Sequence, residues 1–561
     1  MPVLAQVDLR LDAGPLDYAL LAVYFAFVLG IGFLARRSVS SSLDFLLSGR
    51  SLPAWVTGLA FISANLGAIE LLGMAANGAQ YGMATVHYYW IGAIPAMVFL
   101  GLVMMPFYYG SKVRSVPEFL RRRFGKGAHL VNAISFAVAQ VLIAGVNLYA
   151  LAFLLNLMLG WPIPLSVVIA AAIVLTYTAL GGLSAAIYNE VLQFFVIVAA
   201  LLPLTIVGLH KVGGWDGLVE KVTGGPGGAE QLSAWPATEL TGIQNPVLSV
   251  IGIVFGLGFV LSFGYWTTNF AEVQRALSAK SMSAARRTPI IGAYPKMLIP
   301  FVIIIPGIIA ALVVPEMVAL KAGDDSGGVV YNNALPALIG ELLPNGMLGI
   351  AITGLLASFM AGVAANVSSF NTVFTYDLWQ DYVRKDRPDE YYLRVGRLAT
   401  IGGTLVAIGT AFLAAGYGNI MDYIQALFSF FNAPLFATFI LAMFWKRMSA
   451  AAGWSGLVAG TLGAVLVFVL AETGVLDLPG QGASFVGAGV AFAVDIVVSV
   501  VVTVFTRPVP QERLVGLVYS LTPKEDRRHS TTGDDAGWYR SPLLLGIGVL
   551  VLTAVLNIIF G

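Results

Sequence analysis

Six ionisable side chains, Glu70, Glu190, Lys296, Asp377, Asp422 and Asp495, fall inside or at the ends of apolar runs. A charge in hydrocarbon is costly unless it is paired or hydrated, so such a residue braces a helix, grips a polar solute or carries a cation. Glu70 and Lys296 lie deepest and are opposite in sign, which points to one shared cavity where they face each other or hold a solute. Glu190 and Asp377 lie close enough to run ends to reach an interface, and Asp495 reads as a packing hydrogen bond. Other chemistries lack their residues. With no Cys there are no disulfides, thiolate metal sites, iron–sulfur clusters or cysteine nucleophiles. His87, His129, His210 and His529 are scattered, and neither HExxH nor a supported GxSxG turn occurs, so neither an enzyme nor a resident cofactor is expected. A net charge of +1 gives no footprint for nucleic acid.

The elements that must position these residues are membrane helices. A chain 58% apolar and 11% charged, with a mean hydropathy of +0.84, cannot be covered by a hydrated surface. We read an all-α membrane protein of about 14 spans, near 15–36, 53–78, 82–109, 127–158, 162–180, 184–210, 243–268, 284–315, 346–376, 393–416, 419–446, 450–471, 483–506 and 541–560. Short cytoplasmic loops retain Lys and Arg. With this count, 26 of the 31 basic residues fall on alternate connections, from Arg36 and Arg37 to the 507–540 segment. Both termini are therefore expected outside a plasma (cell inner) membrane. The first run lacks a basic leader and a cleavage site, and is read as a retained span. The loops near 211–242 and 316–345 read as external caps, and 507–540 as a cytoplasmic linker.

Two apolar runs are interrupted by helix-weak residues. The second carries Ser63-Ala64-Asn65-Leu66-Gly67-Ala68-Ile69-Glu70, and the seventh carries Ser262-Phe263-Gly264-Tyr265-Trp266-Thr267-Thr268-Asn269. Carriers built from inverted repeats bind solute and ions at such breaks, near the midplane. Matching breaks five spans apart predict a five-plus-five inverted repeat: 53–210 the first half, 211–242 a loop and 243–446 the second half. Residues 1–52 then add an extra span and loop, and 447–561 the C-terminal spans. A small solute and the bilayer are the expected partners.

The stretch Gly160 to Ala185, GWPIPLSVVIAAAIVLTYTALGGLSA, fits a long signature pattern ending in GG-L-x-A. Ser48-Gly49-Arg50, Val116-Pro117-Glu118-Phe119, Gln274-Arg275-Ala276-Leu277 and Phe374-Thr375-Tyr376-Asp377 add to it. On these residues the chain resembles the sodium/solute symporters, nearest to the sodium/glucose and galactose branch. The resemblance implies a LeuT-like core of ten helices working by alternating access. It places Tyr265 as a sugar-stacking inner gate, Lys296 and Gln425 as hydroxyl partners, and Met74, Tyr88 and Met421 at an outer gate. It puts sodium on carbonyls of Ser63, Leu66 and Ser358 and on a hydroxyl pair at positions 361 and 362, with an acidic helper at Glu190.

The chain departs from that pattern where polarity matters. Glu70 stands where the branch has an amide or imidazole, Tyr89 where it has a glutamate, and Ser262 where it has an asparagine. The hydroxyl pair is Ala361-Gly362. A buried polar site discriminates against unmatched partners, so the solute stays open among a sugar, a polyol and an amino- or carboxylate-bearing metabolite. The coupled ion stays open between sodium and a proton on Glu70 or Glu190, and uncoupled passage is the third reading.

Overall fold

A computed structural model of the chain describes residues 11–35, 41–324, 328–414, 416, 419–523 and 537–561. Of the basic residues read as loop markers, Arg10, Arg36, Arg37, Lys524, Arg527 and Arg528 lie outside the described residues, as does the middle of the 507–540 linker.

Among the described residues, 12 helices are each long and apolar enough to cross a bilayer, and a pair bent by 57° makes a further span. The shorter apolar limb Ile163–Ala179 completes the number read from the sequence. In chain order the elements are α1 (Pro15–Ala35), α2 (Ala54–Asn65), α3 (Ile69–Val86), α4 (Tyr88–Tyr108), α5 (Lys126–Leu159) and α6 (Ile163–Val212). Then come α7 (Pro246–Thr268), α8 (Phe270–Leu277), α9 (Met282–Val313), α10 (Met347–Val383), α11 (Asp389–Ala414) and α12 (Ile420–Phe444). The last three are α13 (Ala450–Glu472), α14 (Gly482–Phe505) and α15 (Pro542–Ile559). α6 contains two spans because it turns at Gly182, whose φ of 58° and ψ of −149° suit glycine. A Cβ there would lie 2.4 Å from the Phe45 carbonyl oxygen, so the second glycine of the GG in the signature stretch is a steric requirement of this bend.

The two broken helices, α2/α3 and α7/α8, run antiparallel. The N–H of Leu52 donates to Ser278 at 3.2 Å, the Phe61 ring stacks on Trp266 at 5.7 Å, and Asn65 Nδ2 donates to the Tyr265 hydroxyl at 3.0 Å. α10, the most deeply buried span, packs on α2, α5 and α6. Its small residues, Gly354, Ala357, Ser358, Ala361 and Gly362, permit that close approach.

The first break falls where expected: α2 ends at Asn65, and Leu66 has a ψ of 52°. The second does not fall at Gly264, which stays helical with Ser262. Gly264 serves close packing, since a Cβ there would lie 2.7 Å from the Asn432 carbonyl oxygen of α12. The chain breaks instead at Asn269, extended at φ −69° and ψ 111°, whose side chain caps α8 by accepting the Ala271 N–H at 3.0 Å. The hydroxyls of Thr267 and Thr268 turn back onto the carbonyls of Phe263 and Gly264 at 2.5 and 2.6 Å, which loosens the last turn before it.

Three arginines read as loop markers are in fact buried: Arg123, Arg275 and Arg286. Arg123 caps the end of α12 by donating to Ala442, Trp445 and Met448 carbonyls at 2.9, 3.0 and 3.2 Å. Glu190 and Asp377 do not reach an interface; both are buried, Asp377 against His129 Nε2 at 2.9 Å. Asp495 does accept packing hydrogen bonds, from Thr438 at 2.7 Å and Ser499 at 3.0 Å.

α1 packs against α6 and α10, and one buried acid ties it to the start of α10. Asp17 accepts the N–H groups of Gly346 and Gly349 at 2.7 Å each and of Gly14 at 2.8 Å, so it caps α10 with a negative charge. We expect Asp17→Ala to cost about 1–3 kcal/mol for the unsatisfied donors it leaves, read as a lower thermal unfolding midpoint of detergent-purified protein. An unchanged midpoint would contradict this role.

Candidate solute and cation site

Between the two breaks opens a cavity lined from both broken helices and from α4, α5, α9, α10 and α12. Of the residues expected to meet a solute or gate it, Glu70, Met74, Tyr88, Ser262, Tyr265, Lys296, Met421 and Gln425 line this one space. Tyr89 does not. It is fully buried behind Glu70, to which its hydroxyl donates at 2.8 Å.

Glu70 and Lys296 face each other. The ammonium pairs with Glu70 Oε1 and also donates to Asn65 Oδ1, while lying 4.7 Å from the Tyr89 ring centroid and 5.3 Å from that of Trp266. Removing one partner of such a buried pair leaves an uncompensated charge, so the pair must be kept or lost together. Asn65 passes the connection on through its amide to the Tyr265 hydroxyl, which donates to Glu272 Oε1 at 2.7 Å. The Tyr265 ring lies 4.7 Å from Phe428 and 5.2 Å from Trp266, giving an aromatic wall beside this polar chain. Gln425 Oε1 is a buried acceptor without a partner.

The positions the resemblance assigns to sodium also come together. The hydroxyl of Ser358 donates to the Leu66 carbonyl, and Ser63 Oγ is buried with no hydrogen-bond partner. Ala361 and Gly362 present no hydroxyl. Their neighbour instead is Asn147 of α5, whose Oδ1 accepts the Ala68 N–H at 2.7 Å. A Cβ at Gly67 or Gly362 would lie 2.4 or 2.3 Å from that oxygen, so both glycines make room for the amide. Asn147 also lines the cavity. The oxygens gathered here, from Ser63, Leu66, Ser358 and Asn147, are the kind a hard cation takes.

Glu190 is not at the cavity. It is buried against Arg275 of α8, whose Nε donates to Glu190 Oε2 at 3.2 Å and whose Nη2 pairs with Oε1. Near Met74, Tyr88 and Met421 a further polar cluster roofs the space. Tyr88 donates to Gln481 Oε1, and Gln481 Nε2 donates to Asp422 Oδ1 at 3.1 Å and to Asn77 Oδ1 at 3.3 Å. Asn77, Asn147, Glu272 and Gln481 are missed in the sequence, and Asn269 is taken there only as the end of the second interruption. Glu272 had a signal, an acid between the second interruption and the Gln274-Arg275-Ala276-Leu277 motif, but one turn from Arg275 it reads as half of a solvated loop pair.

The profile of the Sodium:solute symporter family matches residues 45–460. Sodium/glucose cotransporter 4 of Danio rerio is 31% identical over 544 residues, covering 91% of this chain and 82% of the relative. A sodium/glucose cotransporter of Vibrio parahaemolyticus is 29% identical over 462 residues, 79% of this chain and 83% of the relative. Among solved structures, a Na+-coupled sialic acid symporter in a substrate-bound outward-open state superposes with a TM-score of 0.72 at 19% identity, over 89% of this chain and 99% of that one.

The fit of Asn147 between two glycines yields a test independent of transport. We expect Gly362→Ser to lower stability by about 1–3 kcal/mol through overpacking. Asn147→Ala should cost stability by freeing the Ala68 N–H, and the double variant should be less destabilised than the two losses summed, a coupling typical of touching residues. Strict additivity of the thermal shifts would show that the two side chains do not compete for one space.

Proposed function

Because the chain belongs to the sodium:solute symporter family, we propose that it carries a small neutral polyhydroxylated solute, a sugar or polyol, across the cell's inner membrane together with a cation, by alternating access. One observation carries the reading: two antiparallel broken helices contribute the residues around their breaks to a single cavity that has both a polar chain and an aromatic wall. Glu70, Lys296, Asn65 and Gln425 offer donors and acceptors to hydroxyls, and Tyr265, Trp266 and Phe428 offer ring faces to C–H groups. Lys296 and Glu70 cancel each other's charge, which favours a neutral solute; a carboxylate would meet Glu70 and Glu272 with no free cation.

The repeats are assigned to 53–210 and 243–446, with both termini outside, and Met74, Tyr88 and Met421 form the outer gate. Tyr265 is the inner one. Sodium is the coupling ion on the family resemblance and on the oxygens of Ser63, Leu66, Ser358 and Asn147. Protons are the second reading, favoured by one specific feature: Ala361 and Gly362 bring no hydroxyl to that place.

Uptake into proteoliposomes tests this. With a panel of labelled hexoses, pentoses, polyols, amino acids and carboxylates, we expect accumulation of a sugar or polyol under an inward sodium gradient and little with choline in its place. Accumulation under an inward proton gradient alone would move the coupling to protons, and equilibration without accumulation in either would sink coupled symport. Glu70→Gln and Lys296→Met should each reduce uptake at least about tenfold, the scale of breaking one buried charge pair; if both carried solute normally, the pair would have no part in binding.

A further inference from the structure

We propose that Glu272 is a cation site of the cavity, at which one positive charge, a sodium ion or a proton, sits on Oε2 during the transport cycle. The proposal rests on the coupled-symport reading and names a carboxylate to which the family resemblance gives no role.

Glu272 is 2% exposed and lines the cavity. Its Oε1 accepts the Tyr265 hydroxyl at 2.7 Å, whereas Oε2 is buried with no partner at all. An ionised carboxylate so placed needs a counter-charge, because burial of an unpaired ion costs several kcal/mol. The nearby cations are already committed. Lys296, the sole Lys or Arg among the cavity-lining residues, pairs with Glu70. Arg275, one turn further along α8, is spent on Glu190, the Ala271 carbonyl at 2.7 Å and Gln274 Oε1 at 3.3 Å. The charged and titratable groups around Glu272 are thus Tyr265 in direct contact, and beyond it the pairs Glu190–Arg275 and Glu70–Lys296, each close to neutral as a unit. One negative charge is left over, facing a cavity whose other lining groups include the amides of Asn65, Asn269 and Asn366. A lone buried carboxylate oxygen is a ligand for a hard cation, and it accepts a proton equally well.

The location gives such a charge something to do. Tyr265 bridges Glu272 to Asn65, and Asn65 to Lys296, so the state of the carboxylate reaches the solute groups through three hydrogen bonds. Ionised Glu272 holds the Tyr265 hydroxyl by a charge-assisted bond. A cation on Oε2 weakens that hold, which frees the ring to move only when the site is filled. In the proton case H+ adds to Oε2 on one side of the membrane and leaves it on the other, with no other bond made or broken.

The test uses full-length protein and needs no knowledge of the solute. Binding of 22Na+ is measured by scintillation proximity at alkaline pH, and an acid-minus-alkaline infrared difference spectrum reports a protonated carboxyl. For a sodium site, wild type binds 22Na+, and Glu272→Gln weakens binding at least about tenfold. For a proton site, wild type shows a protonated-carboxyl band that Glu272→Gln removes, while any 22Na+ bound on the oxygens of Ser63, Leu66, Ser358 and Asn147 is held equally well by the variant. Glu272→Asp, which keeps the charge and shortens its reach, should retain the band or a weakened 22Na+ affinity, and it serves where Glu272→Gln does not fold. Variants that match wild type in both measurements overturn this inference alone. A wild type with neither signal, and no gradient-driven uptake, overturns the coupled-symport reading with it.

Discussion

A helix that stops in the middle of a membrane leaves peptide groups with no intrahelical partner and no water, and every other feature of this molecule follows from how they are satisfied. At the first break the Leu66 carbonyl takes the Ser358 hydroxyl and the Ala68 N–H finds Asn147 Oδ1. At the second, Asn269 caps its own following helix. The partners at the first break come from α5 and α10, so that break is tied to two neighbouring spans. The glycines at 67 and 362 are consequences of that bracing, since the amide of Asn147 occupies the space a side chain at either would fill.

Charge obeys the same accounting as backbone. Around the breaks the chain buries Glu70, Glu190, Glu272, Arg275 and Lys296. Two close pairs absorb four of them, and the pairs stand on different elements: Glu70 with Lys296 joins α3 to α9, and Glu190 with Arg275 joins α6 to α8. Each pair spans one element from the first half of the chain and one from the second. A buried pair is weak evidence for stability but strong evidence for register, because either partner alone would be expensive. The second half-helix of each break is therefore fixed by an ion pair to an element of the opposite half.

The membrane class, the number of spans and the first break were legible because they rest on run length and on helix-weak residues in an apolar context, signals that need no tertiary partner. The meeting of Glu70 with Lys296 was legible for a related reason: two deep charges of opposite sign have few alternatives. What escaped was everything decided by a neighbour far along the chain. Gly264 looks like a breaker and is a packing surface for Asn432; Asn269 looks like the end of a run and is the break. Arg275 and Arg123 look like loop markers, because hydropathy cannot tell a charge in water from one spent on carbonyls and a carboxylate. Asn147 and Gln481 carry no local signal, being single amides in helices or beside them, whose roles come from residues 59 or more positions away.

Direction along the two antiparallel helices separates the ends of the cavity. Met74 lies past the first break, on the far side from Leu52, while Glu272 lies past the second, toward Ser278 and so toward Leu52. The polar roof at Tyr88, Asn77, Asp422 and Gln481 thus closes the end opposite to the one where Tyr265 meets Glu272. Gln481 immediately precedes α14, a helix outside the repeats, yet it bonds Tyr88 and Asn77 of the first half and stands within hydrogen-bond reach of Asp422 of the second. On the proposed gating, opening that end breaks all three contacts, and opening the other parts Tyr265 from Glu272 and Asn65. Since the two closures share no residue, either can yield while the other holds. That independence is what a carrier needs, for a site whose two ends opened together would be a leak.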